Sequence, residues 1–102
     1  MKNTLKEYMQ KLIALHALDS KDDLLKLLTE NNEVIKEIIN HAKSNYWVNF
    51  EENTYDGWYC VKCGTEFNIY YQERGRVEWD FLRTESKEEA VASVMTNSGY
   101  LE

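Results

Sequence analysis

Apolar residues recur at helical spacing through the first 45 residues of this chain. Their i, i+3, i+4 period indicates three amphipathic helices, each with one buried face. Ser20 is a favourable N-cap for the second helix, because its hydroxyl can accept a hydrogen bond from a free backbone N–H. The predicted buried stripes comprise Leu5, Tyr8, Met9, Leu12, Ile13 and His16, then Leu24, Leu25, Leu27 and Leu28, then Val34, Ile35, Ile38, Ile39 and Ala42.

After Asn45 the period changes from 3.6 to 2, which predicts strands. Four segments alternate in this way, at 46–50, 58–63, 66–72 and 76–83. Ser86 and Glu89 then form a capping box that opens a last helix over 86–97. We therefore predict one α+β domain over 1–102: N-terminal helices in 1–45, a four-stranded antiparallel meander in 46–83, and a C-terminal helix packed on the sheet.

The last hairpin can be predicted in detail from its turn. A three-residue loop, Glu73-Arg74-Gly75, places glycine at the left-handed position. It sets Tyr71 against Val77, and by the same register Ile69 against Trp79 and Phe67 against Phe81, all on the core face. A two-residue Arg74-Gly75 loop sets Tyr71 against Glu78 instead. We expect the longer loop, because a slip of one residue inverts a face; it leaves Tyr70, Glu78 and Asp80 on a polar, acidic face.

The strand at 58–63 has two alternative orientations. A three-residue loop at 63–65 directs Tyr59 inward and Trp58 outward, whereas a two-residue turn at 64–65 reverses both. We favour the first, because it sets Lys62 opposite Glu66. Trp47 also alternates outward from its neighbours. In the competing interpretation, the N-terminal helices cover the second sheet face and bury Trp47 and Trp58 as ordinary core.

Charge and aromatic residues are distributed unevenly. Residues 1–45 are neutral, with 7 basic and 7 acidic side chains, so residues 46–102 carry the whole net charge of -6 together with 12 of the 13 aromatics. Aromatic side chains among carboxylates suit a surface that binds a basic partner. The acidity argues against nucleic acid, since phosphate contacts need clustered Lys and Arg. Without an apolar run of membrane-spanning length or a signal-like N-terminus, we expect a cytoplasmic protein with no membrane partner.

Cysteine and histidine offer weak alternatives. Cys60 and Cys63 have the spacing and trailing glycine of a zinc knuckle, but the chain has no second cysteine pair. A redox pair normally opens a helix, whereas these lie on a predicted hairpin. His16 is expected at the edge of the core, and His41 as a cation at a helix C-terminus. We expect no cofactor, no metal and no catalytic residue.

Two segments resemble known families. Residues 70–79, with the hairpin Glu73-Arg74-Gly75, resemble small immunity proteins of bacterial polymorphic toxin systems, and Thr84–Val91 is similar to the start of their C-terminal helix. This resemblance implies a protein that binds one cognate toxin, commonly a nuclease with a basic cleft, and plugs its active site. The strands and final helix also resemble the arm-type DNA-binding domains of phage integrases, but an acidic sheet repels phosphate.

From these features we expect an immunity or antitoxin protein, not an enzyme, that neutralises a basic toxin domain through an acidic aromatic sheet surface. The alternative is a small zinc-dependent interaction module using Cys60 and Cys63. The sequence leaves open the identity of the toxin and the oligomeric state. The predicted partner-binding residues are Trp58, Tyr70, Glu73, Glu78 and Asp80, with Glu51, Glu52 and Asp56 as steering charges.

Overall fold

The computed structural model describes residues 4–43 and 46–101, and it confirms the α+β class. The described residues form four helices and one four-stranded mixed sheet, in which each strand is hydrogen-bonded to the next one along the chain. The elements are α1 (Thr4–His16), α2 (Lys21–Glu30), α3 (Glu33–Ala42), β1 (Val48–Asn49), β2 (Gly57–Cys63), β3 (Glu66–Glu73), β4 (Arg76–Thr84) and α4 (Lys87–Asn97).

The predicted N-caps Ser20 and Ser86 are confirmed, but the capping box at Ser86 is only half formed, because the Ser86 backbone N–H donates to the Thr84 hydroxyl at 3.1 Å. The hydroxyl of Ser20 accepts a hydrogen bond from the backbone N–H of Asp23 at 3.3 Å, where α2 begins. The hydroxyl of Ser86 accepts one from the N–H of Glu89 at 3.1 Å, where α4 begins. Each cap satisfies a backbone donor that the first turn of a helix leaves without an intrahelical partner.

The two histidines differ from each other. The prediction that His16 lies at the edge of the core is wrong, because its side chain is exposed. Ala17 takes a positive φ of 54° directly after α1, and Leu18 occupies the core position instead, with 7% of its surface exposed. His41 lies in the last turn of α3, as predicted, and its ring stacks on Tyr8 with centroids 4.8 Å apart.

Helix α4 is the middle layer of the fold. Every residue from Ala90 to Met95 is buried, because α4 packs on β2, β3 and β4 and also against α2. A helix enclosed on both sides is apolar around most of its circumference. The prediction that the C-terminal helix packs on the sheet is therefore confirmed, and α2 covers α4 rather than the opposite face of the sheet.

The predicted antiparallel meander is wrong at its first strand. β1 is only two residues long and pairs parallel to β2, with Val48 opposite Trp58. The loop 50–56 carries the chain back to the start of β2, and the N–H of Trp58 donates to the carbonyl of Trp47 at 2.7 Å. Gly57 permits this approach, since a Cβ at this position would lie 2.7 Å from the Trp47 carbonyl oxygen.

The predicted orientation of β2 is also wrong. Cys63 pairs with Glu66, so the turn has two residues, and Gly64 takes a φ of 66° at the position where a type II′ turn accepts glycine. Trp58 and Cys60 consequently face α4 and belong to the core, with 8% and 3% of their surfaces exposed. The turn geometry decided this register, whereas the expected charge pair of Lys62 with Glu66 contributes little on an exposed surface.

The β3–β4 hairpin has the two-residue turn that the hydrophobic pattern disfavoured. Arg74 and Gly75 both take positive φ, 53° and 77°, as a type I′ turn requires. The predicted partners Tyr71–Val77, Ile69–Trp79 and Phe67–Phe81 are replaced by Tyr71–Trp79, Ile69–Leu82 and Phe67–Thr84.

Two register shifts in the β3–β4 pairing allow the strands to keep an apolar core face in spite of the short turn. They leave Glu78 and Phe81 as extra residues on β4, so apolar side chains return to the core face after each bulge. Val77 and Phe81, both predicted for the core, are instead 55% and 49% exposed. The side chain of Trp79, also predicted for the core, lies outside the described part of the structure.

Candidate partner-binding surface

One hollow on the sheet combines aromatic rings with carboxylates. It has a volume of about 460 Å³ and is open to solvent. We call it the acidic aromatic cleft. It is lined by Trp47, Trp58, Tyr71, Glu73 and Glu78.

The rings of the acidic aromatic cleft are fixed by the fold. Trp58 and Tyr71 are cross-strand partners, with ring centroids 5.5 Å apart and planes inclined by 56°. Trp47 meets Tyr71 edge-on at 6.1 Å. The indole N–H of Trp47 donates to the carbonyl of Ser98 just after α4, at 3.1 Å. Such tilted and edge-to-face contacts are favourable aromatic arrangements.

The two carboxylates reach the acidic aromatic cleft by different routes. Glu73 follows Tyr71 by two residues on β3 and therefore projects from the same face. Glu78 is the extra residue of a bulge on β4, and this irregularity turns it toward Tyr71 instead of leaving it beside Asp80. Both glutamates are exposed, and neither forms an ion pair with any residue that the structure describes.

The carboxylates of Glu73 and Glu78 both act electrostatically on the hydroxyl of Tyr71. The pKa of the Tyr71 hydroxyl is raised above its ordinary 10.0, first by desolvation and then by the negative charges of Glu73, Asp56 and Glu78. The part of this rise in pKa that comes from the three carboxylates means that a further negative charge is disfavoured at this position. The acidic aromatic cleft therefore presents a negative potential to any incoming group.

The remaining predicted residues lie elsewhere. Tyr70 and Asp80 are cross-strand partners on the opposite sheet face, so the structure separates them from Trp58, Glu73 and Glu78. Asp80 also forms an ion pair with Arg83 at 3.1 Å. Of the eight predicted partner-binding residues, three line the acidic aromatic cleft.

The opposite sheet face is organised around Tyr59. Its side chain is completely buried although it faces away from α4, because Tyr70 stacks on it with ring planes only 3° apart. The loop 50–56 closes over it: the Tyr59 hydroxyl donates to the Tyr55 carbonyl at 2.7 Å, and the Gln72 amide donates to the same carbonyl at 3.1 Å. Tyr70 therefore serves the packing of this face.

The predicted steering charges belong to this loop. The carboxylate of Asp56 accepts a hydrogen bond from the backbone N–H of Arg74 at 2.7 Å, which ties the loop to the β3–β4 turn. Glu52 lies near Tyr70, whose pKa is raised by burial, then by Glu52, then by Tyr59. Glu51 lines a separate hollow beside α3.

Two residues of the acidic aromatic cleft were absent from the predicted site. Trp47 alternates outward in the sequence, and this signal was sufficient to include it. The alternation of the strand predicts Tyr71 in the core, whereas its ring is half-buried in the cleft, beside a bulge on the neighbouring strand β4. Nothing in the sequence pattern marks that bulge.

The side chains of Cys60 and Cys63 lie on opposite faces of the sheet and therefore cannot bind one metal ion together. Cys60 faces α4 and is buried, which raises the pKa of its thiol to about 12, with Lys87 opposing this shift. Cys63 lies three residues further along the strand and is exposed. Side chains three apart on a strand point to opposite faces. Across the described residues, no three His, Cys, Asp or Glu side chains are grouped so that they could hold a metal ion.

Comparison with protein-family models, with curated proteins and with solved structures found no match to this chain. Among the described residues, no helix is both long enough and apolar enough to cross a membrane.

Proposed function

We propose that this chain is a cytoplasmic, non-enzymatic immunity protein that binds and neutralises a basic, nuclease-like toxin domain through the acidic aromatic cleft. One observation carries the proposal: Glu73 and Glu78, without ion pairs among the described residues, flank three aromatic rings in a single open hollow. The rings supply contact area, and the carboxylates supply charge complementary to a basic surface.

A purely solubilising role accounts less well for this surface. Acidic side chains keep a protein soluble without any aromatic neighbours. Here Trp47 is 40% exposed in the acidic aromatic cleft, and Phe81, also 49% exposed, contacts Trp58 with ring centroids 6.2 Å apart. Large apolar groups grouped on a surface are typical of an interaction site.

Charge supports a basic partner. A nuclease binds phosphate, so its active site is lined with cationic groups. An inhibitor that presents carboxylates to this site repeats the charge of the substrate, and the net charge of -6 accelerates the encounter. In this proposal Glu73 and Glu78 take the place of substrate phosphates, while Glu51 and Glu52 contribute only long-range steering.

The proposal is tested by neutralisation of the product of the neighbouring open reading frame. Expressed alone in a bacterial host, that product should arrest growth, and co-expression of this chain should restore it. The double variant Glu73→Gln/Glu78→Gln should restore growth less well than the wild type.

Glu66→Gln/Glu85→Gln is the matched control, because it removes the same charge from exposed positions near the opposite end of the sheet. Glu66 and Glu73 are separated by the length of β3, about 23 Å at the usual rise per residue. If the neighbouring product is harmless, or if it remains toxic in the presence of this chain, the proposal is wrong.

A further inference from the structure

The three rings of the acidic aromatic cleft enclose a space instead of stacking on each other. The planes of Trp47 and Trp58 are inclined to Tyr71 by 66° and 56°. Trp47 is 40% exposed and Tyr71 is half-buried, so parts of both rings border the hollow. An aromatic face carries negative electrostatic potential and attracts cations.

The charge of the hollow restricts what can enter it. Glu73 and Glu78 would repel an anion. A neutral ring would displace water from both carboxylates without offering them hydrogen bonds or a positive charge in return. A cation satisfies the carboxylates and the ring faces together. One cation of the chain itself, Arg76, lies opposite Glu73 in the β3–β4 ladder, and its side chain is exposed and forms no ion pair with a described residue.

We infer that the acidic aromatic cleft binds an arginine side chain of the partner, an inference that depends on the proposed function for the identity of that partner. A guanidinium is planar, so it can lie against an indole or phenol face while its edge donates two N–H groups to a carboxylate. An ammonium is compact and more strongly hydrated, which makes lysine the poorer fit. Glu73 and Glu78 accept the hydrogen bonds, and Trp47 and Tyr71 contact the planar face.

A short peptide series tests this assignment on the isolated protein. The probes are acetyl-Gly-Arg-Gly-amide and its citrulline and lysine counterparts, titrated at constant ionic strength. Citrulline keeps the planar shape and loses the charge. The indole N–H resonances of Trp47 and Trp58 in the ¹⁵N-labelled protein report binding in the cleft.

We expect saturable shifts with the arginine peptide, about tenfold weaker binding of the citrulline peptide, and intermediate binding of the lysine peptide. Glu73→Gln/Glu78→Gln should weaken the arginine peptide by about tenfold, and Glu66→Gln/Glu85→Gln should leave it unchanged. Equal affinity for arginine and citrulline peptides, or equal losses in the two double variants, would overturn the assignment.

Failure of this inference is distinguishable from failure of the proposed function. If the neighbouring toxin is neutralised but the arginine peptide causes no shift at Trp47 or Trp58, the chain is an inhibitor whose cleft does not take arginine. If the peptide binds as expected but no toxin is neutralised, the arginine site is supported and the proposed immunity function is wrong.

Discussion

Trp58 on β2 lies directly opposite Tyr71 on β3, with ring centroids 5.5 Å apart. Trp58 is 8% exposed and belongs to the core cluster beneath α4, whereas Tyr71 is half-buried at the mouth of the acidic aromatic cleft. The floor of the cleft is thus continuous with the hydrophobic core. A surface held in this way needs little side-chain ordering on binding, which favours affinity.

Gly57→Ala tests the backbone approach that positions Trp47. The φ of Gly57 is 141°, and an added Cβ would lie 2.7 Å from the Trp47 carbonyl oxygen. We expect the free energy of unfolding to fall by about 2 kcal/mol or more, through backbone strain and displacement of the segment before β1. Urea unfolding measures the change.

Gly64→Ala is the control for this substitution. Gly64 also has a positive φ, 66°, but a Cβ there would meet no atom within 4 Å. Its cost should therefore be limited to about 1–2 kcal/mol of left-handed strain. A Gly57→Ala variant as stable as the Gly64→Ala variant would contradict the proposed close approach.

Gln72→Ala tests the attachment of the loop 50–56 to the sheet. The Gln72 amide is buried and donates to the carbonyls of Asn53 and Tyr55, at 2.9 and 3.1 Å. Its loss removes the donor to the part-buried Asn53 carbonyl, whereas the Tyr55 carbonyl keeps the Tyr59 hydroxyl, so we expect a cost of about 0.5–1.5 kcal/mol. Amide hydrogen exchange in the loop should accelerate, and Asn68→Ala on the same face of β3 should change stability by less than about 0.5 kcal/mol. Unchanged exchange in Gln72→Ala would show that other contacts hold the loop.

The helical half follows from the sequence, because each signal there is local. Ser20 and Ser86 cap helices through contacts three residues away, and the apolar stripes match the buried faces except at His16. The class α+β and the position of α4 follow from the same patterns. Local capping and a 3.6-residue period depend little on the rest of the fold.

The sheet does not follow in the same way, because register depends on turns and bulges that alternation alone does not reveal. Alternation favours a three-residue loop at the β3–β4 hairpin, and the pairing of Lys62 with Glu66 favours one at the β2–β3 hairpin, whereas both turns have two residues, Gly64-Thr65 and Arg74-Gly75. The bulges at Glu78 and Phe81 then restore apolar residues to the core face. The bulge at Glu78 also directs this residue into the acidic aromatic cleft. Glu78 and Asp80, which are predicted on one face, therefore lie on opposite faces of the sheet.

The two cysteines should differ strongly in reactivity. Burial raises the pKa of the Cys60 thiol to about 12, and the thiolate is the nucleophile. Iodoacetamide at pH 8 should therefore modify Cys63, which is exposed, and leave Cys60 unmodified until the protein unfolds. Mass spectrometry of tryptic peptides measures both sites. Equal modification of both cysteines under native conditions would contradict the burial of Cys60 against α4.

The raised pKa of the Cys60 thiol also predicts that the protein loses stability at alkaline pH. The pKa of Cys60 rises from 9.0 to about 12 on folding, so between these values the unfolded chain binds fewer protons than the folded chain. The free energy of unfolding should therefore fall as pH rises above 9, by up to about 1.4 kcal/mol per pH unit. Between pH 9 and 10, Cys60→Ala should show a smaller slope. An identical slope in wild type and variant would rule out Cys60 as the source.

The central claim is that Trp47, Glu73 and Glu78 form one surface for a basic partner, and association kinetics with the cognate toxin domain test it most directly. Glu73→Gln/Glu78→Gln should slow association by about tenfold at low salt, with a smaller effect at high salt, because these charges steer the encounter. Trp47→Ala should mainly accelerate dissociation, because it removes an aromatic anchor. Glu66→Gln/Glu85→Gln should retain nearly wild-type rates. Wild-type rates in both cleft variants would contradict the claim.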